Sequence, residues 1–364
     1  MHRNNNIFIT SSGMACPVGL SAASACAAKR AGLSALENLP YLDNSCEPIV
    51  GAMVPGLDWT LPRASRLNEL LSQALADLLH GPPDMPWDQI PLLLCLAEPE
   101  RPGGGSRNAG LVQSIVNHLY DAFGVHFHPS SSRVFPTGHT AGFLALHEAR
   151  RLIQQEQVPA CLVCGVDSLL NATTLQWLDE HHRLKTPANR DGVIPGEAAA
   201  AVLVQAEPWG DTHAEVIGIG FGQEQASILS GEPLLGLGLT AAARSALAEA
   251  KLGLHEIDLR LSDVAGELYG FKELPLMEGR LMRVVRKQAQ PLWHWAEAIG
   301  DSGAAAGIAQ LVLADQAFRK GYAPGTKAMG LTSSVAGSRA ATILRAATLS
   351  RFSPPKDGGT NHGL

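Results

Sequence analysis

A strand-then-helix alternation runs through this chain twice, and that repeat constrains its fold more than any single motif. In the first stretch we read strands at residues 7–11, 92–97 and 134–136 with helices at 21–31 and 108–123, then helix 140–156, strand 159–166, helix 172–180 and strand 198–204. A second stretch opens with strand 214–222 and continues through helix 240–250, strand 259–264, helices 271–286 and 304–320, and strands 329–332 and 341–344. Such alternation calls for crossover connections and a mostly parallel sheet covered by helices, the α/β class. Because the element order recurs, we divide the chain into residues 1–205, residues 206–350 and a Pro- and Gly-rich polar tail at 351–364 that lacks periodicity and is left out of the fold.

Composition limits what these blocks can do. Hydrophobic residues make up 46% of the 364 and charged residues 17%, with 37 glycines, which suits closely packed layers. The balance of 28 basic against 34 acidic residues gives −6, and no dense Lys/Arg run exists to follow a phosphate backbone, so nucleic acid is not an expected partner. Residues Met1 to Asn6 lead straight into the short apolar run Ile7 to Thr10, without the longer apolar stretch of a signal peptide, so a cytoplasmic location is expected. No segment reaches the roughly 18–20 uninterrupted apolar residues of a membrane span, so no integral membrane association is expected either.

Several residue groups could suggest a metal or cofactor. Cys161-Leu162-Val163-Cys164 spells CxxC, but it lies in an apolar run read as a central strand, where residues three apart point to opposite faces. We read these two, and Cys16, Cys26, Cys46 and Cys95, as buried thiols of a cytosolic chain rather than disulfides or ligands. Residues 100–107, with Gly103-Gly104-Gly105, precede no GK[ST] or GxGxxG pattern and read as a mobile surface loop. His181-His182, after Asp179-Glu180, reads as a solvated loop, since adjacent histidines cannot face one ion without a turn. The expectation is no metal and no cofactor. Trp177, Trp293 and Trp295 are candidates for either core or interface anchors. Arg280, Arg283, Arg286 and Lys287 would share a face of a helix over 271–287, suited to an acidic partner or simply solvated.

Short stretches in order along most of the chain resemble the β-ketoacyl synthase branch of the thiolase superfamily. They are Gly13-Met14-Ala15-Cys16-Pro17-Val18-Gly19 after a strand, Arg190-Asp191-Gly192-Val193-Ile194-Pro195-Gly196-Glu197 before an alanine-rich strand, Leu252 to Asp258, and Gly300-Asp301-Ser302-Gly303-Ala304-Ala305-Ala306-Gly307. Ser334-Val335-Ala336-Gly337-Ser338-Arg339 stands where the family has a Gly-Gly-Thr-Asn loop, a departure from the pattern. The resemblance implies a thiolase-like fold of two duplicated βαβαβαββ halves stacked as a five-layer α-β-α-β-α sandwich, and usually a homodimer.

The residues that would carry the family's chemistry are replaced. A condensing enzyme needs a thiolate at a helix N-terminus, where backbone amides and the helix dipole favour the anion. In Thr137-Gly138-His139-Thr140-Ala141-Gly142, aligned through Gly142 and Ala149, that position is His139. The two family histidines, which aim donors at one oxyanion, correspond to Ala265 and Asp301, and the lysine before the second corresponds to Ala296. We therefore expect no enzyme and no catalytic residues, with His139, Ala265, Ala296 and Asp301 as degenerate positions. Three roles follow. The first is an adaptor or chaperone for another protein; by family analogy, degenerate ketosynthase-like chains are encoded among bacterial type VI secretion effector genes. The second is a chain-length-factor-like partner of an active ketosynthase in fatty acid or polyketide synthesis, in a homodimer or heterodimer. The third is a residual hydrolase or acyltransferase with His139 as base, oriented by Asp301, and Thr140 or Ser302 as nucleophile.

Overall fold

A computed structural model describes residues 6–58, 60–79, 86–105, 109–208 and 214–347. The elements run β1 (Ile7–Ala15), α1 (Ala22–Arg30), β2 (Leu36–Leu42), β3 (Pro48–Ala52), α2 (Arg63–Leu79), β4 (Leu92–Cys95), α3 (Ala109–Phe123), β5 (Arg133–Phe135), α4 (Ala141–Arg151), β6 (Ala160–Ser168), α5 (Ala172–Glu180) and β7 (Glu197–Gln205). They continue with β8 (Ala214–Gln223), α6 (Leu237–Ala250), β9 (Leu259–Ser262), α7 (Leu268–Leu281), β10 (Leu292–His294), α8 (Ala296–Ile299), α9 (Ala306–Arg319), β11 (Lys327–Ser333) and β12 (Ser338–Ala346).

Strands pair in the order β10-β9-β11-β12-β8-β1-β7-β6-β4-β5. Numbered within each set of five, β5-β4-β6-β7-β1 and β10-β9-β11-β12-β8 both read 3-2-4-5-1, so the two sets share one topology. In each, the first three are parallel and the last two antiparallel. The sets meet where Ile7, Phe8 and Ile9 pair antiparallel with Val216, Glu215 and Ala214.

Three apolar layers hold the sheets apart and cover them. The central one gathers Phe143 and Leu146 of α4, Ile308 and Leu311 of α9, and strand residues from both sets, while α2 and α3 cover one sheet and α6 and α7 the other. This is a five-layer α-β-α-β-α stack, the arrangement expected above. α9 is buried continuously from Ala306 to Ala317, as a helix between two sheets must be, which is why it lacks a polar stripe. α4 reaches it through small residues: a Cβ on Gly142 would lie 2.8 Å from Ile308 Cγ1. β6 and β7 are buried along their length because helices cover both faces, hence their unbroken apolar sequence. Cys161 packs in the central layer and Cys164 in the outer one, on opposite faces of β6.

Four sequence expectations need correction, the first being that every thiol is buried, since Cys46 is exposed. The segment near Gly103 is packed, not a free surface loop: Arg101 is buried, and a Cβ on Gly103 would sit 2.2 Å from Asn171 Oδ1. The helix expected over 271–287 ends at Leu281, so Arg283, Arg286 and Lys287 are not on it, and Arg286 turns back to the carbonyls of His255 and Ile257. The helix expected over 140–156 is α4 to Arg151 followed by a wider turn, Leu152–Glu156, closed by Gln157 at φ 56°. The hairpin β2–β3 and the helix α2 were not expected. α2 covers β1 with Leu67, Leu70, Leu71, Ala74, Leu75 and Leu78, a helical stripe. The tail at 351–364 lies outside the described residues. Among the described residues no helix is long and apolar enough to cross a membrane, and no group of three or more His, Cys, Asp or Glu is placed to hold a metal ion.

Candidate functional site

Two tight turns bring the central residues together. Gly138-His139-Thr140 forms a 3₁₀ turn at the start of α4, with Gly138 at φ 58° and its N–H donating to the Leu96 carbonyl, which fixes the turn to the end of β4. Asp301 follows α8 through Gly300 at φ 67°. Its N–H donates to the Ile194 carbonyl and its own carbonyl accepts from Gly196 N–H, so the Val193-Ile194-Pro195-Gly196 segment clamps it. Glycine at 196 is required by space, since a Cβ there would lie 1.9 Å from the Ile299 carbonyl oxygen.

His139 Nε2 lies 2.7 Å from Asp301 Oδ1, and the two residues are 8% and 6% exposed. Burial alone would push the imidazole toward neutrality, but the Asp301 charge and hydrogen bond, helped by Asp263 and Glu98, raise its pKa to about 10. Burial likewise opposes the Asp301 carboxylate, and the His139 charge and hydrogen bond overcome it, lowering that pKa to about 2. The pair is therefore an imidazolium–carboxylate ion pair at neutral pH.

Further buried charges frame the pair. Asp263, just past β9, accepts from Ser333 N–H at 2.7 Å, and burial raises its pKa to about 6 against the opposing His139 charge. Asp167 in β6 accepts from Arg101 at 2.5 Å and Arg63 at 3.2 Å, and its other oxygen takes the Ala304 N–H at 3.0 Å. Arg183 grips Glu267 with two bonds of 2.7 Å. Arg339 meets Glu273 at 2.7 Å and also donates to the carbonyls of Ser334 and Ser338, which sets the Ser334–Arg339 loop.

A cleft opens over this assembly in two chambers that share His139, Arg183, Asp301 and Val335. The smaller chamber, about 60 Å³, is lined by Asp263, Ala265, Tyr269 and Arg339 among others. The larger, about 360 Å³, has Glu98 and Arg101 at its wall and Leu169, Trp177, Leu178 and Leu229 as apolar sides.

The sequence-predicted positions separate into two groups. His139, Asp301 and Ala265 converge on the smaller chamber, whereas Ala296 opens α8 and lines neither chamber. Thr140 Oγ1 donates to the Thr137 carbonyl at 3.2 Å, and neither Thr140 nor Ser302 lines the cleft, so the geometry does not present them to the His139 ring as nucleophiles. No cysteine lines either chamber. Burial raises the thiols of Cys161 and Cys164 to about 12, and that of Cys95 well above the ordinary range. Trp295 is a core residue that donates to the Ala309 carbonyl, Trp293 stacks on Tyr322, and Trp177 faces the cleft. Exposed His181 and His182 end α5. Sequence reasoning missed Glu98, Arg101, Asp167, Asp263, Arg183 and Arg339. The available signal was position: Glu98, Asp167 and Asp263 are charged residues at carboxyl ends of strands, where α/β proteins build sites.

Residues 129–208 match the family of the β-ketoacyl synthase N-terminal domain. No curated protein matches the sequence. Among solved structures, the chain resembles the oxazolomycin ketosynthase domain of Streptomyces albus, with TM-score 0.75 and 16% identity over 94% of this chain and 75% of that one. It also resembles a ketosynthase in complex with its chain length factor from Xenorhabdus doucetiae, with TM-score 0.73 and 15% identity over 94% and 98%. A β-ketoacyl synthase from Burkholderia phymatum gives TM-score 0.67 and 18% identity over 94% and 100%. The chain thus has the thiolase-like fold of these ketosynthase structures, and residues 129–208 carry the family match.

Proposed function

We propose that this chain is a non-condensing ketosynthase-like protein that acts by binding another protein, as an adaptor or chaperone. The observation that supports this reading is the occupant of the nucleophile position. His139 is held by Asp301 in a buried ion pair, and no thiol faces the cleft. An acyl group has no thiolate to receive it by the family route, and Asp301 puts a negative charge where the family places an oxyanion donor. A rigid scaffold without that chemistry is suited to recognition. A bacterial type VI secretion effector is the partner class that the family analogy favours, with the chain in the cytoplasm.

A second reading has its own support. One of the solved structures it resembles is a ketosynthase in complex with its chain length factor. Here β5 ends the sheet with Arg133 and Val134 exposed, an edge that a second chain, identical or not, can extend. A hydrolase or acyltransferase based on His139 has the least support, because neither Thr140 nor Ser302 lines the cleft and the Thr140 hydroxyl donates to the Thr137 carbonyl.

The test is affinity purification of the tagged full chain from its native host, with partner stoichiometry by mass spectrometry, beside assays of acyl-carrier loading and thioester hydrolysis. A stoichiometric secretion effector and no turnover supports the adaptor; a co-purifying active ketosynthase shifts the assignment to the second reading. Turnover that disappears in His139→Ala overturns both.

A further inference from the structure

A groove of about 560 Å³ lies between α1 and the end of α9, and it shares no lining residue with either chamber of the cleft. Ala23 and Ala27 of α1, with Ala31 just past it, are exposed along one side; Gln316 of α9 and Lys320 at its end form the other, with Tyr322 beyond. The charged residues that line it are Arg30 and Lys320, both positive and both exposed. Neither side chain has a hydrogen bond or ion pair among the described residues. A ligand in the groove therefore meets these two groups at an open surface.

The two cations can meet on one group. The Arg30 guanidinium lies 4.8 Å from the centre of the Tyr322 ring, which stacks in turn on Trp293. Lys320 stands two residues before Tyr322, so their Cα atoms are at most about 7.6 Å apart, and a flexible four-carbon stem can bring the ammonium to the same ring. Neighbouring charges do not cancel the pair. Glu297 is taken by Lys29 and also faces His294. Asp315 is buried, bonds Ser12 and is opposed by Arg319. Asp77 accepts from the N–H groups of Met14 and Ala22, at the other end of α1. We infer that the groove binds a small organic phosphate monoester, its phosphate between Arg30 and Lys320 and its apolar body along Ala23, Ala27 and Ala31. Such a phosphate carries about −1.5 to −2 near pH 7, which answers both cations where a carboxylate would answer one, and its oxygens suit the guanidinium fork. The groove falls in the range of about 300–1,000 Å³ usual for small-molecule pockets. No residue of the cleft takes part, so the inference stands apart from the proposed function.

The experiment titrates butyl phosphate, inorganic phosphate, pentanoate and butylamine into the purified full chain by calorimetry, at pH 8 and low salt, where phosphate is doubly charged and little screened. Butyl phosphate is expected to bind about fivefold tighter than pentanoate, which satisfies one cation fewer. It should bind about tenfold tighter than inorganic phosphate, which lacks the apolar body, and butylamine should not bind. Arg30→Gln and Lys320→Gln should each weaken butyl phosphate about fivefold. Ala27→Leu keeps a helix-favouring residue at an exposed position, so the variant should fold as the parent does; by filling the groove it should weaken butyl phosphate about tenfold and leave inorganic phosphate within about twofold. Inorganic phosphate bound as tightly as the ester would reduce the groove to an adventitious ion site and overturn the inference. Tighter binding of pentanoate or butylamine, no binding of butyl phosphate, or affinities unchanged in the three variants would overturn it as well.

Discussion

The turns that start the two central helices share a backbone and differ in what surrounds it. Gly138-His139-Thr140 leads into Ala141-Gly142 of α4, and Gly303-Ala304-Ala305 leads into Ala306-Gly307 of α9; the first glycines have φ 58° and 51°. Each lies against a carboxylate, with a Cβ on Gly138 falling 2.3 Å from Glu98 Oε2 and one on Gly303 falling 2.1 Å from Asp167 Oδ2. Asp167 is fully engaged, by Arg101, Arg63 and the N–H groups of Ser168 and Ala304. Glu98 Oε2 is engaged by nothing among the described residues, and the middle residue is a charged histidine in one turn and an alanine in the other. One copy of the device is closed and structural; the other retains polar capacity at a cleft.

The largest effect should come from filling the space at Gly303. Gly303→Ala imposes a left-handed alanine and drives its Cβ into a carboxylate that four partners hold in place. We expect a loss of about 4 kcal/mol in denaturant unfolding. Gly138→Ala meets a carboxylate whose Oε2 no hydrogen bond holds, and should lose only about 2 kcal/mol. Equal losses would break the comparison, since they would mean that Glu98 is as firmly held as Asp167.

Next in size is the ion pair. His139→Ala leaves Asp301 buried without its counter-charge and should cost about 3 kcal/mol. The double variant with Asp301→Asn should lose less than the sum of the singles, because either change alone strands a partner. Strict additivity would show that the pair is not coupled.

The same pair gives stability a pH signature. His139 has its pKa raised to about 10, so its contribution is complete below its ordinary value near 6.5 and declines as pH rises through about 10. Asp301, lowered to about 2, contributes above its ordinary value near 3.8 and is lost as pH falls through about 2. Asp263 runs the other way: raised to about 6, it favours the folded state below 3.8 and ceases to as pH passes 6. The stability difference between the protein and His139→Asn should therefore shrink from pH 7 to pH 10, by about 1–3 kcal/mol. A difference that is flat over that window would remove the charged histidine from the description of the site.

What the sequence made legible follows from the physics of layers. β6, β7 and α5 are found within two residues because a strand covered on both faces must be apolar throughout, and a helix entered at Asn171 has a side-chain cap. His139 was found by aligning its helix through Gly142 and Ala149, and Asp301 because it stands second in a glycine-led motif. The partners were not. Glu98, Arg101 and Asp263 sit in segments with no periodicity, and what makes them a site is contact across the two sets of strands, which no local pattern encodes. The end of α7 was misplaced because the basic residues after Leu281 look helical in spacing, whereas Arg286 is drawn back to the carbonyls of His255 and Ile257.

The smallest expected effect separates unused polar capacity from hidden structure. Thr137, which precedes the first turn, has a buried hydroxyl without a partner. If that hydroxyl belongs to the open copy of the device, it contributes nothing to the empty protein, and a methyl of similar shape relieves its desolvation. Thr137→Val should then leave stability unchanged or raise it by up to about 1 kcal/mol. A loss of about 1 kcal/mol or more would mean that ordered water ties Thr137 into a network. Glu98 and His139 would be candidates for that same network, and the first turn would be as closed as the second, with solvent doing there what Arg101 and Arg63 do for Asp167.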